Sequence, residues 1–185
     1  MQPVVVSLSD HSAARSLFDP ICQLYGEVFS AASHHWNEDR SREHRKRLTT
    51  LVADPSFGLT TAFVGSDLIG LAYGYQLPIK TQWWQGFLEP VPADLTTERE
   101  GRSFAVIDLA VRQAWRRQGI GRRLLTALLE SRHEERATLA VQPEADAAHA
   151  FYRRLRWRYV GRVRGVEGES APYFDIYWLP LHGAA

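Results

Sequence analysis

Residues 103–130 read SFAVIDLAVRQAWRRQGIGRRLLTALLE, and the spacing of the apolar residues changes inside that stretch. Ser103 to Val111 is a short apolar and β-branched run interrupted only by Asp108, the pattern of a strand covered on both faces. Ile120, Leu124 and Leu128, with Leu125 and Leu129 beside them, keep helical spacing. Between the two lies a basic turn that closes on Gly119-Ile120-Gly121. A strand feeding a helix through a glycine-rich turn points unpaired backbone N–H groups outward at the positive end of the helix dipole. Such a terminus is an anion site, and phosphate is its usual occupant. Small residues let a phosphate reach the main chain, and Arg116, Arg117, Arg122 and Arg123 can add charge-assisted contacts.

The turn is not a P-loop, because no Gly-Lys-Ser/Thr follows its glycines. Nor is it a dinucleotide fingerprint, since Arg122-Arg123-Leu124 stands where a third glycine belongs. Arg116-Arg117-Gln118-Gly119-Ile120-Gly121 instead resembles the pyrophosphate loop of the GNAT superfamily of acetyl-CoA-dependent N-acetyltransferases. That loop reads Arg or Gln, two residues, Gly, one residue, then Gly or Ala. The preceding Leu-Ala-Val and the following leucine-rich helix match the family as well. The resemblance implies acetyl-CoA as co-substrate and no metal. It carries cofactor contacts onto Leu109, Val111, Arg116, Arg117, Gln118, Gly119, Ile120, Gly121 and Arg122. The plain alternative is a structural strand–turn–helix bearing solvated arginines.

The rest of the chain bounds this reading. With 185 residues it is expected to form a single domain, 1–185, with a core that needs no staples. The net charge of +1 provides no global field for nucleic acid or a membrane. The lone cysteine, Cys22, excludes an internal disulfide and fits a reducing, cytoplasmic setting. No apolar run approaches membrane-spanning length, and the N-terminus lacks a secretory pattern. Neither metal-ligand spacing nor a Ser/His/Asp arrangement stands out.

Taken in order, residues 3–8 read as a strand, and Asp19-Pro20 as a helix start followed by Ile21, Leu24, Tyr25, Val28 and Phe29 on one face. A second helix, capped near Asn37, covers 38–53; its many charges read as a solvated face, with only Leu48, Leu51 and Val52 offered to a core. Two strands, 59–64 and 68–76, meet at the hairpin signal Gly65-Ser66-Asp67, and Gly70 and Gly74 suggest bulges or close backbone approach. Residues 77–102 form an aromatic insert without a period, holding Trp83, Trp84 and Phe87, and connections of that length are usually functional. Beyond the central helix come a strand at 137–141, a helix marked by Ala148, Phe151, Tyr152 and Leu155, and strands at 157–164 and 173–179. Phe174, Ile176 and Trp178 share one face of the last strand. The order β-α-α-β-β-β-α-β-α-β-β is α/β. In the family it builds a mixed, largely antiparallel sheet flanked by helices.

Acetyl transfer to an amine needs a polarised thioester carbonyl, a neutral nitrogen, and a proton for the departing thiolate. In the family a backbone N–H of the strand before the turn meets the carbonyl, which maps to Leu109 and Val111. Tyr152, in Ala150-Phe151-Tyr152-Arg153-Arg154-Leu155, resembles the family's proton donor to the thiolate, and also fits a helical packing stripe. A phenol near pKa 10 can serve a thiol near 8.5 without a large shift. Two departures stand out: Ala145 where the family often has Asn, and Arg156 where a glycine usually ends the helix. Asp108, His34 and His35 are the candidate bases beside water, with Asp108 equally readable as structural. Phe29, His34, Trp83 and Trp84 are the acceptor-side candidates; the tryptophans could wall a cationic amine or fill the space under a long loop. These residues point to a small-molecule amine N-acetyltransferase that transfers directly within a ternary complex, with a homodimer allowed. Acetylation of a protein lysine or N-terminus is the alternative within the fold. A non-catalytic acyl-CoA or nucleic-acid binding module is the alternative outside it, and the balanced charge disfavours nucleic acid.

Overall fold

The computed structural model describes residues 2–31, 37–166 and 170–182. Strand β1 (Val4–Ser9) leads into a short helix, α1 (His11–Ser16), whose cap is the Asp10 carboxylate accepting from the Ala13 N–H at 2.7 Å. No apolar period announces α1. It runs directly into α2 (Phe18–Ser30), where the Ile21 N–H donates to the Leu17 carbonyl at 2.8 Å. The second helix therefore begins ahead of the Asp19-Pro20 signal. Helix α3 (Glu38–Ala53) starts where expected, with the Asn37 side chain accepting from the Arg40 N–H at 3.0 Å. Strands β2 (Gly58–Val64) and β3 (Asp67–Gln76) form a hairpin in which Val64 faces Asp67 across Gly65-Ser66. Then follow a four-residue helix α4 (Ala93–Thr96), β4 (Ser103–Val111), a 3₁₀ turn at Gln113–Trp115 and α5 (Ile120–Glu130). The chain continues through β5 (Arg136–Val141), α6 (Asp146–Arg154), β6 (Arg158–Arg164) and β7 (Tyr173–Pro180). The seven strands make a mixed sheet in the order β1-β2-β3-β4-β5-β7-β6, so the α/β class and the sheet type are as the sequence implies.

Contacts divide the chain into two compact units. The first holds residues up to Tyr75 and Val106–Arg132, with β1-β2-β3 antiparallel and most of β4 beside β3. Helix α5 lies so close to one face that a Cβ at Gly70 would sit 3.0 Å from a Leu124 methyl and 3.2 Å from the Ala110 carbonyl. Gly70 is therefore a site of close backbone approach. On the other face, Ile21 and Leu24 of α2 and Leu48 of α3 pack fully buried with Leu59, Leu71 and Tyr73. At about 25 cal/mol per Å², each such side chain stabilises the unit by roughly 1.5–3 kcal/mol.

The second unit holds Gln76–Ala105 and the chain from His133 onward. The Glu135 and Arg136 N–H groups donate to the Gly101 and Arg102 carbonyls, both segments advancing in the same sense. Strands β5 and β6 flank β7 antiparallel, and β6 carries a bulge between Tyr159 and Gly161. The last strand is covered on both faces: Asp175 and Tyr177 are buried as well as Ile176, so the one-faced reading of Phe174, Ile176 and Trp178 is incomplete. The insert 77–102 lies along β6. Phe87 bridges Val163, the Leu88 N–H donates to the Arg162 carbonyl at 2.9 Å, and the Arg164 N–H donates to the Gly86 carbonyl at 2.9 Å. The Phe87 ring closes over Gly161, where any Cβ would meet it at 3.0 Å. Among the described residues no helix is long and apolar enough to cross a membrane.

Candidate active site

In the first unit, β4 runs out through the 3₁₀ turn into a loop with two left-handed residues, Arg117 at φ 61° and Gly119 at φ 76°. Gly119 is the N-cap of α5 and offers no side-chain hydrogen bond to the first turn. The Arg123 N–H closes the first helical turn on the Gly119 carbonyl at 3.0 Å, so the N–H groups of Ile120, Gly121 and Arg122 precede any intrahelical partner. A Cβ at Gly119 would meet no atom within 4 Å, leaving clear space beside these donors. The Ile120 side chain is buried at 2% exposure, so that residue can present only its backbone. Such a cradle of donors has the chemistry of an anion site, which the pyrophosphate of a coenzyme A thioester fits.

The arginines around the cradle have divided roles. Arg116 Nε donates to the Val111 carbonyl at 2.9 Å and Gln118 donates to the Ala114 carbonyl at 3.2 Å, so both brace the loop. Arg112 pairs with Glu27, and Arg123 reaches the Val4 carbonyl at 3.1 Å. Arg117 and Arg122 are exposed and have no partner among the described residues, which makes them the two cations available to a ligand. Leu109 and Val111 are half-buried and alternate with buried Asp108 and Ala110.

Behind Asp108 the same unit holds a polar ring that the sequence did not reveal. The Tyr25 and His44 rings stack flat, with centroids 3.6 Å apart and planes 7° apart. His44 Nε2 lies 3.0 Å from the Tyr73 hydroxyl, which donates to Asp108 Oδ2. Arg47 donates to the same carboxylate oxygen at 2.8 Å, and its guanidinium lies 5.8 Å from the Tyr25 ring. Because the Tyr73 proton goes to Asp108, the Tyr73 oxygen accepts from His44, which fixes the Nε2–H tautomer. Burial, with Arg47 and Arg45 nearby, pushes the His44 pKa down to about 3, so this imidazole is neutral. Burial raises Asp108 while Arg47 and the Tyr73 hydroxyl pull it back down. One signal was available: His44, Leu48 and Leu51 keep the i, i+4, i+7 spacing of a buried stripe, masked by the charges between them.

In the second unit, Tyr152 is buried on α6 and sits three residues from the helix's C-cap, Leu155. Arg156 takes φ 67° there. Its N–H donates to the Arg153 carbonyl at 3.0 Å, and the Trp157 N–H donates to the Tyr152 carbonyl at 3.1 Å. This is a Schellman ending with an arginine in the usual glycine place. The N-cap of α6 is Ala145, without a side-chain cap bond. Trp84 is 7% exposed, donates to Glu98 at 2.9 Å and carries the Arg136 guanidinium 4.6 Å over its ring. Trp83 is half-buried and donates to the Thr138 hydroxyl at 3.0 Å. Trp84 and Phe87 also line an open depression of about 410 Å³ with residues of their own insert. Phe29, in the first unit, is half-buried 4.3 Å from the Tyr25 ring. His34 and His35 lie outside the described residues.

Residues 18–156 match the model of the acetyltransferase (GNAT) family. The chain belongs to that family. A search of the curated protein sequences gave no match to this GNAT protein. Among solved structures it is similar to the aminoglycoside 6'-acetyltransferase type Ii, with TM-score 0.69 and 14% identity over 98% of this chain and 99% of that one. It is also similar to the ribosomal-protein-S18-alanine N-acetyltransferase from Escherichia coli, with TM-score 0.64 and 15% identity over 99% of this chain and 97% of that one. A third is the PaiA N-acetyltransferase from Thermoplasma acidophilum in complex with coenzyme A, with TM-score 0.61 and 13% identity over 96% and 99% of the two chains. At these identities the likeness is one of fold. GNAT acetyltransferases use acetyl-CoA.

Proposed function

We propose that this GNAT protein is an acetyl-CoA-dependent N-acetyltransferase acting on the primary amine of a small molecule, by direct transfer in a ternary complex. The observation that carries the reading is the open Gly119 cradle, with free helix N–H groups and, beside it, Arg117 and Arg122, unpaired among the described residues. Acetyl-CoA, when bound, supplies the activated acetyl group. In this reading the backbone N–H groups of Ile120, Gly121 and Arg122 hold its pyrophosphate. Leu109 and Val111 offer backbone groups to the thioester arm, and Tyr152 hands a proton to the departing thiolate. Phe29, His34 and Trp83 are assigned to the acceptor side, whereas Trp84, buried between Glu98 and Arg136, supports the insert from below. The half-exposed free thiol of Cys22 suits a reducing, cytoplasmic setting.

Thiol release from acetyl-CoA across a panel of amines, with lysine-containing and N-terminal peptides beside small molecules, tests this function. Turnover restricted to small amines is the expected result; turnover restricted to peptides moves the acceptor to proteins. Acetyl-CoA binding without turnover on any acceptor leaves a binding module.

A further inference from the structure

The ring around Asp108 is larger than packing requires. A buried ion pair seldom stabilises a fold more than apolar side chains of the same volume do. Yet four elements contribute to this one: Tyr25 from α2, His44 and Arg47 from α3, Tyr73 from β3 and Asp108 from β4. Its members differ sharply in access to water. The Arg47 side chain keeps 47% exposure, while the Asp108 side chain has 9% and Tyr73 has none. The carboxylate is thus held from the dry side by Tyr73, with His44 bonded behind it, and from the wet side by Arg47. Asp108 also begins the peptide bond whose nitrogen is Leu109 N, the donor assigned above to the thioester arm.

We propose that Arg47 is a resting counter-ion, that the acceptor's ammonium displaces it from Asp108, and that the Asp108 carboxylate then takes the amine's proton, with Tyr73 and His44 as positioning residues. The proposal rests on the acetyltransferase reading. Exchange of one cation for another leaves the buried carboxylate compensated throughout, which avoids the several kcal/mol that a lone buried charge costs. Once the proton has passed, a neutral acid and a neutral amine occupy the site, which burial favours over the ion pair. The ammonium loses two N–H protons in all. One goes to Asp108 and from there to water, and the other goes to the thiolate through Tyr152. The new N–C bond forms as the C–S bond breaks, so atoms and charge balance.

The charged and titratable groups that face Asp108 are Arg47 and Tyr73, with His44 behind Tyr73 and Tyr25 behind Arg47. Burial raises the carboxyl, whereas Arg47 and the Tyr73 hydroxyl lower it, so removing either partner moves its titration to higher pH. A purely structural staple makes no such demand on turnover.

Two measurements test this. On ligand-free protein labelled with ¹³C at aspartate carboxyls, the Asp108 midpoint should rise in Arg47→Gln and in Tyr73→Phe. With an amine accepted by the wild type, the acidic limb of kcat/KM should move up in step, and Asp108→Asn should lower kcat roughly 10²–10⁴-fold at unchanged acetyl-CoA affinity. A folded Asp108→Asn protein with full turnover overturns the assignment while leaving the acetyltransferase reading intact. An unmoved ¹³C midpoint in Arg47→Gln overturns the counter-ion role whatever the turnover. A wild type that acetylates nothing removes both readings together. Should Asp108→Asn fail to fold, Arg47→Gln, at an exposed position, decides alone.

Discussion

The Trp157 indole meets the Tyr152 ring edge-on at 5.8 Å, and the same tryptophan's N–H donates to the Tyr152 carbonyl at 3.1 Å. Tyr152 thus supplies the carbonyl that closes the end of α6, and it is also the proposed acid. The two roles separate by substitution. Tyr152→Phe keeps the ring and the helix ending, so stability should change little while kcat falls by about 10², the low end for a general acid. Tyr152→Ala should instead cost about 3–5 kcal/mol in urea unfolding. Undiminished turnover in Tyr152→Phe would leave the ring contact as the whole role of the residue.

Acetyl-CoA at about a hundred times its dissociation constant should stabilise the protein by roughly 2.7 kcal/mol. For a chain of this size that is a rise of several degrees in Tm, at roughly 2–4 °C per kcal/mol. Gly121→Val puts a branched side chain among the free N–H groups and should erase the rise. A Tm rise that persists in the variant would move the phosphate site off the turn.

The two adjacent tryptophans should answer differently to truncation. Trp84 is enclosed by Glu98 and Arg136, so Trp84→Ala should cost about 3–5 kcal/mol and leave two buried charged groups without their aromatic neighbour. Trp83 is half-buried, and Trp83→Ala should raise KM for the amine more than for acetyl-CoA. Equal effects on both KM values would take Trp83 out of the acceptor side.

His44 gives the protein a pH slope. Its folded pKa of about 3 lies below the ordinary 6.5, so below pH 6.5 the unfolded chain binds a proton that the folded one refuses. Its contribution is intact above pH 6.5 and is lost as the pH falls toward 3, by up to about 1.4 kcal/mol per unit. The stability gap between wild type and His44→Gln should therefore narrow as pH falls from 6.5 to 4. Denaturant midpoints at three pH values check this; a constant gap means the imidazole is not held neutral by burial.

What could be read beforehand follows from where local signals are strong. The strand–turn–helix from Ser103 to Glu130 was legible because the apolar period switches from strand to helix across two glycines. Asn37 announced α3 because a cap is local chemistry. Helix α1 escaped because six residues without a period hold no pattern, although Asp10 stood at its cap. The ring around Asp108 was hidden for another reason. Tyr25, His44, Tyr73 and Asp108 lie 19 to 35 residues apart in sequence, and only the sheet and two helices bring them together. Arg156 was noted as a missing glycine, and the structure gives that absence a physical form: an arginine held at φ 67°.

The strip from Gly86 to Leu88 runs beside β6 and engages backbone groups on either side of Val163. A strand left bare along that margin would display a row of unpaired amides and carbonyls to any extended chain nearby. By laying its own irregular segment there, with a phenylalanine seated on Gly161, the protein blunts its own stickiness. Shortening the segment would then uncover that margin and leave the protein prone to zip onto extended chains nearby.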